Sequence, residues 1–480
     1  LIDGKNGIEL ACVVVDCGSR KVRDHASDFQ GPLPISRIIY LDPGLMEFRK
    51  KNLIYELATV CKQLAPHTNP VNVCNVSSGA DLHLLSPKGF QAAGVKAGIK
   101  ASGKPDVGLL LCDAMASAAA VFTANKVVAA PVVVGREHVA AGKLRGVVVN
   151  AGNANACTGK RGEKDARTMC DLTAQAIGCD AKSILPSSTG IIGHMLPMEK
   201  VSAGITAAAN ALGNSAEHSL AFMDAILTTD LKRKNAELSV KIGKEKVVIA
   251  GVCKGSGMIG PRLSPPQATM LAYLTTDVIA PAPLLRKLMW NACDSSFNAV
   301  TVDDHASTND TACLLASGFS GVKLDTAAAK EKFAKALDEL CQSLAYQIAA
   351  DGEGATKVVK IVVTAATNPA SAKAIARTVA NSPLVKCAMH GNDPNWGRIV
   401  SAAGYAGVPF DPNRTTLKLQ GVTVFRSGQP VPFDAEKTNE LLKGPEVVAE
   451  LICGIGKASA TVWTCDLSKD YVTINADYHT

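Results

Sequence analysis

The sequence predicts an α+β protein of layered sheets flanked by helices, and three observations carry that prediction. From Pro87 onward, short Val/Ala/Leu runs recur between Gly, Asn and Asp, as strands bounded by turn residues do. Between those runs stand segments with apolar residues at three- and four-residue spacing, the signature of helices with one buried face. Strand-like runs often follow one another directly, which fits mixed layers better than a strict strand-helix alternation. Aromatic residues make up 4% of the chain against 47% hydrophobic residues, so the core has to be built mainly from Ala, Val, Leu and Ile.

Taken in order, residues 1–85 stand apart from the rest. They are poorly periodic, carry the basic cluster Arg49-Lys50-Lys51 and a polar run from Pro66 to Gly79, and read as an unassigned N-terminal extension. VGLLLCD (107–113), VVAAPVVVG (127–135) and LRGVVVNAGNAN (144–155) read as strands. DARTMCDLTAQAIG (165–178) reads as a helix opening at an Asp165 cap and stopping at Gly178, and MEKVSAGITAAANALG (198–213) as a second. LSVKIGKEKVVIAG (238–251) alternates on both sides of Gly243-Lys244, a hairpin signal. Residues 326–352 form the longest helical candidate, and the alternation over 458–478 predicts a final strand.

Charge and composition exclude several classes of function. Fifty Lys and Arg against 43 Asp and Glu leave a formal charge of +7 on 480 residues, with no basic stretch interleaved with aromatics, so no nucleic-acid footprint is present. No run of about 18 apolar residues exists, which speaks against a helical membrane span. Asp3, Lys5 and Glu9 keep the first residues from forming a secretory apolar region, so a cytoplasmic location is expected. The chain begins with Leu, and an organellar address stays open. The 15 cysteines are scattered and form no C-x-x-C pair, and the nine histidines form no H-x-x-x-H pair. No metal site and no cofactor are expected, and the cysteines read as small reduced hydrophobes.

The densest local signal is KGSGMIGPRLSPPQATMLAYLTTD (254–277). Gly255, Gly257 and Gly260 spell G-x-G-x-x-G after a predicted strand, with Asp277 farther on. A dinucleotide fingerprint, however, needs a helix opening at the third glycine. Pro261, Pro265 and Pro266 would break it. Glycines leading into a proline-rich stretch that ends at Ala268-Thr269 suit a different chemistry. A backbone able to bend sharply can place the Thr269 hydroxyl against the Ala268 carbonyl, as an N-to-O acyl shift and self-cleavage require, although spacing alone reads Thr269 as an ordinary strand residue. The freed α-amine of Thr269, with a reference pKa of about 7.7–8.0, is then a base beside its own hydroxyl.

These residues resemble the self-cleaving signature of the ornithine acetyltransferase family, the bifunctional glutamate N-acetyltransferases of arginine biosynthesis. The resemblance runs from Pro87 to Thr480 through many separate motifs. They include GFQAAGVKAGIK (89–100), VVNAGNANACTG (148–159), PSSTGIIG (186–193), ILTTD (226–230), STNDT (307–311), DGEGATK (351–357), GNDPNWGRI (391–399) and DYVTINADYHT (470–480).

The resemblance implies a self-cleaving N-terminal-threonine acyltransferase. Residues 86–268 would be its α chain, ending at Ala268, and residues 269–480 its β chain, beginning at the nucleophile Thr269. Thr269 takes the acetyl group of N-acetylornithine, ornithine leaves, and the α-amine of glutamate takes the acetyl group in turn. Acetyl-CoA stays open as a second donor. Thr189 and Gly190 match the family's oxyanion pair. Thr228, Lys254, Thr269, Glu353, Asn475 and Thr480 match its substrate-binding residues, and their chemistry suits a zwitterion: an ammonium group for a carboxylate, a carboxylate for an ammonium, and neutral hydrogen bonders. The family pairs two α with two β chains, and neither metal nor cofactor is implied.

Other residues read plainly. His194 is not needed as a base once Thr269 carries a free amine. Asp303 and Asp304, as strand neighbours, would point to opposite faces and not work together. Trp396 and Trp463 read as packing residues. The sequence departs from the family pattern in two places: GPRLSPPQ lengthens the segment between Ile259 and Ala268, and His305-Ala306 precedes STNDT. The longer segment keeps open an uncleaved, non-catalytic amino-acid-binding relative. An aminopeptidase or amidohydrolase using the same nucleophile, with water as acceptor, is the other alternative.

Overall fold

The computed structural model describes residues 83–260 and 270–477. Ala268, Thr269, Thr480 and nearly all of the 1–85 extension lie outside the described residues.

In chain order, the first half comprises β1 (Phe90–Val95), β2 (Val107–Phe122), α1 (Ala130–Val139), β3 (Lys143–Asn153), α2 (Gly159–Ile177), β4 (Ile184–Ile191), α3 (Met198–Asn210), α4 (Ala216–Ile226), β5 (Lys234–Ile242) and β6 (Glu245–Lys254). The second half begins with β7 (Leu271–Thr276), α5 (Ala282–Ser295), β8 (Thr311–Ala316), α6 (Ala327–Ala350) and β9 (Val358–Ala366). It continues through α7 (Pro369–Asn381), α8 (Pro383–His390), α9 (Trp396–Gly404), β10 (Thr416–Leu419), β11 (Val422–Arg426) and β12 (Gln429–Pro430). It closes with α10 (Ala435–Leu442), β13 (Glu446–Ile452), β14 (Ala458–Cys465) and α11 (Lys469–Asp477).

These strands build two mixed sheets flanked by helices, the predicted α+β layering. The larger sheet runs β4-β3-β2-β8-β7-β6-β5, with β1 also against β2, and the smaller runs β12-β11-β10-β13-β9-β14. The larger sheet is buried on both faces. Ala272 and Leu274 pack in one core with Phe333, Leu337 and Leu340 of α6. Leu271 and Tyr273 point the other way into a core with Phe222 of α4, the two rings meeting edge-on at 5.5 Å. Burial on both sides is why these strands read as unbroken apolar runs instead of alternating ones.

The topology gathers several strand ends at one edge. β7 and β8 are parallel with Leu271 opposite Thr311, so Met270 and Asp310 sit side by side ahead of them, and the Thr311 N–H donates to the Met270 carbonyl at 2.7 Å. β6 runs antiparallel to β7 and ends at the same place, with Lys254 opposite Leu271. Asn309 draws in the ends of β3 and β4, donating its side-chain amide to the carbonyls of Ala154 (2.5 Å) and Ser188 (2.9 Å).

Four expectations need correction. Residues 127–135 are not a strand: α1 occupies Ala130–Val139, with Pro131 in its first turn, where a fixed φ and a missing N–H do no harm. The Val132–Val134 run imitates a strand, but burial of Val132 and Val134 outweighs its β preference. α2 begins at Gly159, well before Asp165, which lies inside the helix and pairs with Arg161 at 2.9 Å. The Gly178 stop holds, with Gly178 in the left-handed conformation that ends helices.

The 458–478 strand ends at Cys465 and gives way to α11. There Asp466 is buried and accepts the N–H groups of Thr356 and Lys357, turning the chain, while the Ser468 hydroxyl accepts the Asp470 N–H at the helix entrance. Asp303 and Asp304 lie in a loop, not a strand. The hairpin at Gly243, the long helix capped by Thr326, and the packing roles of Trp396, stacked on Phe425, and Trp463 are as expected.

Candidate active site

Three glycines show how tightly the backbone closes around the gathered strand ends. At the end of β4, Gly190 adopts φ 130° opposite Gly152 of β3, and a Cβ there would stand 2.3 Å from the Gly152 carbonyl carbon. No other residue fits. After β6, a Cβ on Gly257 would fall 2.2 Å from Glu353 Oε2, and one on Gly260 would fall 2.2 Å from the Asp304 backbone. The glycine-rich segment therefore makes room for a carboxylate and a neighbouring loop. Asp277, the acidic residue of the discarded fingerprint, is buried and accepts the Val248 N–H within the sheet.

A cleft opens at this edge. Thr189 and Gly190 line it from the end of β4, Thr228 and Thr229 from the loop after α4, and Lys254 from the end of β6. Glu353 enters from the loop after α6, Asn475 from α11, and Met270 from the start of β7. The segment Ser307–Asp310 lines the remaining wall.

Several of these groups are held by hydrogen bonds. The Thr228 N–H donates to Asp230 Oδ2 at 3.1 Å. The Glu353 N–H donates to the Ser256 carbonyl at 3.1 Å, and Glu353 Oε2 accepts the Asn475 side-chain amide at 2.8 Å. Asp303 fixes the glycine-rich turn, accepting the N–H groups of Met258 and Ile259 at 2.8 Å each, and Tyr471 of α11 donates its hydroxyl to the same carboxylate at 3.4 Å. Burial pushes the Lys254 ammonium below its ordinary range. Asp230, Asp310 and Glu353 oppose that fall, and the neighbouring cation Lys234 adds to it. Burial also works against charge on Asp230, but Lys234, Lys254 and the Gly255 N–H outweigh it and hold this carboxyl below the usual range. Cation, carboxylate, hydroxyls and amide converge here, a set that can grip both ends of an amino acid.

The ArgJ family model matches residues 91–480. An arginine biosynthesis bifunctional protein ArgJ from Rhodopirellula baltica is 46% identical over 402 residues, covering 83% of this chain and 97% of that protein. The chain belongs to the ArgJ family. The ArgJ protein of Bacillus anthracis is 42% identical over 413 residues, covering 85% of this chain and 100% of its own. Among solved structures, the ArgJ bifunctional protein of Bacillus halodurans is 41% identical at a TM-score of 0.36, covering 38% of this chain and 94% of that one. The ornithine acetyltransferase of Mycobacterium tuberculosis, complexed with ornithine, is 36% identical at a TM-score of 0.37, covering 38% and 97%.

In this ArgJ-family chain, the cleft brings together Thr189, Gly190, Thr228, Lys254, Glu353 and Asn475, which the sequence places on five separate motifs. Thr269 directly precedes the cleft residue Met270, and with Ala268 and Thr480 it lies outside the described residues. His194 is exposed and absent from the cleft lining. Sequence reasoning missed Asp310 and the buried pair Asp230 and Lys234, and it set Asp303 aside as a strand residue. The STNDT motif contains Asp310 and could have flagged it. Lys234 gives no such signal, since it sits in a basic run with Lys232 and Arg233.

Proposed function

We propose that the chain transfers the acetyl group of N-acetylornithine to glutamate in arginine biosynthesis, after cutting itself between Ala268 and Thr269. The observation that carries this reading is one cleft lined by Thr189, Gly190, Thr228, Lys254, Glu353 and Asn475 beside Met270, the neighbour of Thr269.

In this reading, cleavage begins when the Thr269 hydroxyl attacks the Ala268 carbonyl, giving an ester that water hydrolyses. The products are an α chain over 86–268, behind the extension, and a β chain over 269–480. The freed α-amine of Thr269 takes the hydroxyl proton as Oγ attacks the acetyl carbonyl of N-acetylornithine. The C–N bond breaks, ornithine leaves with that proton, and the acetyl group stays on Oγ as an ester. Glutamate then attacks through its α-amine, and Thr269 regains its proton. In both tetrahedral states the oxyanion takes hydrogen bonds from the Thr189 hydroxyl and the Gly190 N–H, donors of a kind worth about 2.7–4 kcal/mol each. Lys254 holds a substrate carboxylate, and Glu353, steadied by Asn475, holds an ammonium group. Thr228 and Thr480 supply further hydrogen bonds.

The family resemblance supports a pairing of two α with two β chains, acetyl-CoA as a further donor to glutamate, and a cytoplasmic location. No helix among the described residues is long and apolar enough to cross a membrane. Intact mass and a denaturing gel test the cleavage: two chains split before Thr269 are expected, and a single chain in the Thr269→Ala variant. Transfer from N-acetylornithine to glutamate, measured against release of free acetate, separates the transferase from a hydrolase. Acetate release without acetylglutamate would overturn the reading.

A further inference from the structure

Thr228, Lys254 and Glu353 come from three segments far apart in sequence, and beneath the cleft those segments meet at one buried ammonium. Lys234 Nζ lies 2.7 Å from Asp230 Oδ1 and 2.5 Å from Asp351 Oδ2, and its third contact is the Lys232 carbonyl at 3.3 Å. All three side chains are sealed from solvent, with exposures of 1% for Lys234, 0% for Asp230 and 3% for Asp351.

Each carboxylate also grips backbone. Asp230 accepts the Gly255 N–H at 2.7 Å, one residue past Lys254, and the N–H of Thr228 itself. Asp351 accepts the N–H groups of Leu231 and Lys232 at 3.1 and 3.2 Å. Its own carbonyl accepts the Ser256 hydroxyl at 2.6 Å, and the Ser256 carbonyl accepts the N–H of Glu353. The ionic group is thus bonded, directly or through one residue, to the backbone that carries every charged residue expected to touch substrate.

Stability alone does not call for ions here. A buried ion pair often contributes no more than well-packed apolar side chains of the same volume. What charged hydrogen bonds add is direction, because each fixes one segment against another with narrow geometry. We propose that Lys234 is a positioning residue for acetyl transfer, setting with Asp230 and Asp351 the register of Thr228, Lys254 and Glu353 and so the grip on the amino-acid ends of both substrates. This rests on the transferase reading above.

The same arrangement makes Lys234 an electrostatic neighbour of Lys254, which is faced also by Asp230, Asp310 and Glu353. Removing the Lys234 cation eases the charging of Lys254, so the alkaline limb of activity moves upward in pH. A merely structural role would leave that limb in place.

The test compares the full-length unaltered protein with Lys234→Met and Asp351→Asn. Met replaces the buried cation with an apolar chain of similar length. Asn keeps an acceptor oxygen for Leu231 and Lys232 but loses the charge facing Lys234. The expected result is a KM at least about tenfold higher for both N-acetylornithine and glutamate, kcat changed less, and, in Lys234→Met, an alkaline limb displaced to higher pH. Where Lys234→Met fails to fold, the KM of Asp351→Asn decides. Wild-type KM values overturn the proposal even if the melting temperature falls, since that outcome marks a structural role only. If the unaltered protein transfers no acetyl group, the transferase reading fails and the proposal falls with it.

Discussion

Asn475, near the end of α11, donates its side-chain amide to Glu353 Oε2 at 2.8 Å, so the last described helix is tied directly to the carboxylate at the back of the cleft. The two residues are 122 positions apart. Their meeting depends on α11 turning back over the loop after α6, where the Ser468 hydroxyl also donates to the Gly354 carbonyl at 2.6 Å. Asn475→Ala should leave the fold intact and release the Glu353 carboxylate to swing. Hydrogen bonds to charged groups contribute about 1.5–3 kcal/mol, so affinity for the amino-acid substrates should fall by roughly ten- to a hundredfold. Asn475→Asp should be worse, because it sets two carboxylates against each other. Titration calorimetry with ornithine checks both, and an Asp variant binding better than the Ala variant would contradict the assignment.

Gly190→Ala should abolish transfer and lower stability together. Its φ of 130° is strained for any side chain, at a cost of about 1–3 kcal/mol, and the added methyl would overlap the Gly152 backbone. Relief requires β4 to part from β3 at the residues proposed to hold the oxyanion. The melting temperature and the transfer rate are the measurements, and an active variant of normal stability would show that the two strands approach less closely.

The pH dependence follows from Lys254. The cleft holds this ammonium below the ordinary lysine range, so activity that needs its charge is lost as pH rises through the lowered value, earlier than for a solvated lysine. The groups facing it are Asp230, Asp310, Glu353 and Lys234. Of these the carboxylates favour the charged form, so Asp310→Asn should move the alkaline limb of kcat/KM to lower pH, opposite in sign to Lys234→Met. N-acetylornithine is a suitable substrate for the profile because its α-amine is acetylated and does not titrate, and its δ-ammonium is a solvated amine of lysine type, at about 10.4.

A separate prediction concerns acid stability in the smaller sheet. Asp466 is buried, which opposes its charge. The Thr356 hydroxyl, His390 and the N–H groups of Thr356 and Lys357 outweigh that, and its carboxyl lies below the usual aspartate range. A depressed carboxyl contributes stability that is present above the unfolded-state value, about 3.9, and is lost as pH falls through the lower folded-state value. Asp466→Asn should therefore narrow the stability gap between neutral and strongly acidic solution. Equal acid unfolding of the two proteins, followed by circular dichroism, would show that Asp466 does not set it.

How far the sequence reaches is clear from particular residues. The helix capped by Thr326 and the hairpin at Gly243 were legible because their signals are local: a side chain that caps its own helix, and a turn needing positive φ, which Gly243 supplies at 63°. The first helix was not, since three consecutive valines imitate a strand and only burial on both sides of the sheet decides otherwise. The α11 helix was hidden by the alternation in YVTINADY. The cleft residues were named through their motifs, but no local pattern says that Lys234, in a basic run, turns inward to two carboxylates, one of them 117 residues away. Nor does it say that Asp303 leaves its neighbour and holds a backbone turn.

That turn carries the last prediction. Asp303 accepts the N–H groups of both Met258 and Ile259, and Met258 is held at φ 54°, a left-handed conformation uncommon for a side chain of its size. The Ile259 carbonyl in turn accepts the Val302 N–H at 2.7 Å and the Thr301 hydroxyl at 3.2 Å, so the chain entering the segment before Thr269 is fixed from both sides. Asp303→Ala removes both carboxylate contacts, and the Met258 turn loses what holds its strained backbone. Self-cleavage depends on a hydroxyl and a carbonyl held about 3–3.5 Å apart, so freedom at the entry should slow it. Freshly purified Asp303→Ala protein should show more of the uncut chain on a denaturing gel than the unaltered protein at equal times, and the uncut fraction should shrink on incubation. Asp303→Asn keeps one acceptor oxygen and should fall between them. Cleavage of all three proteins at one rate would mean that the turn does not govern how the scissile bond is presented.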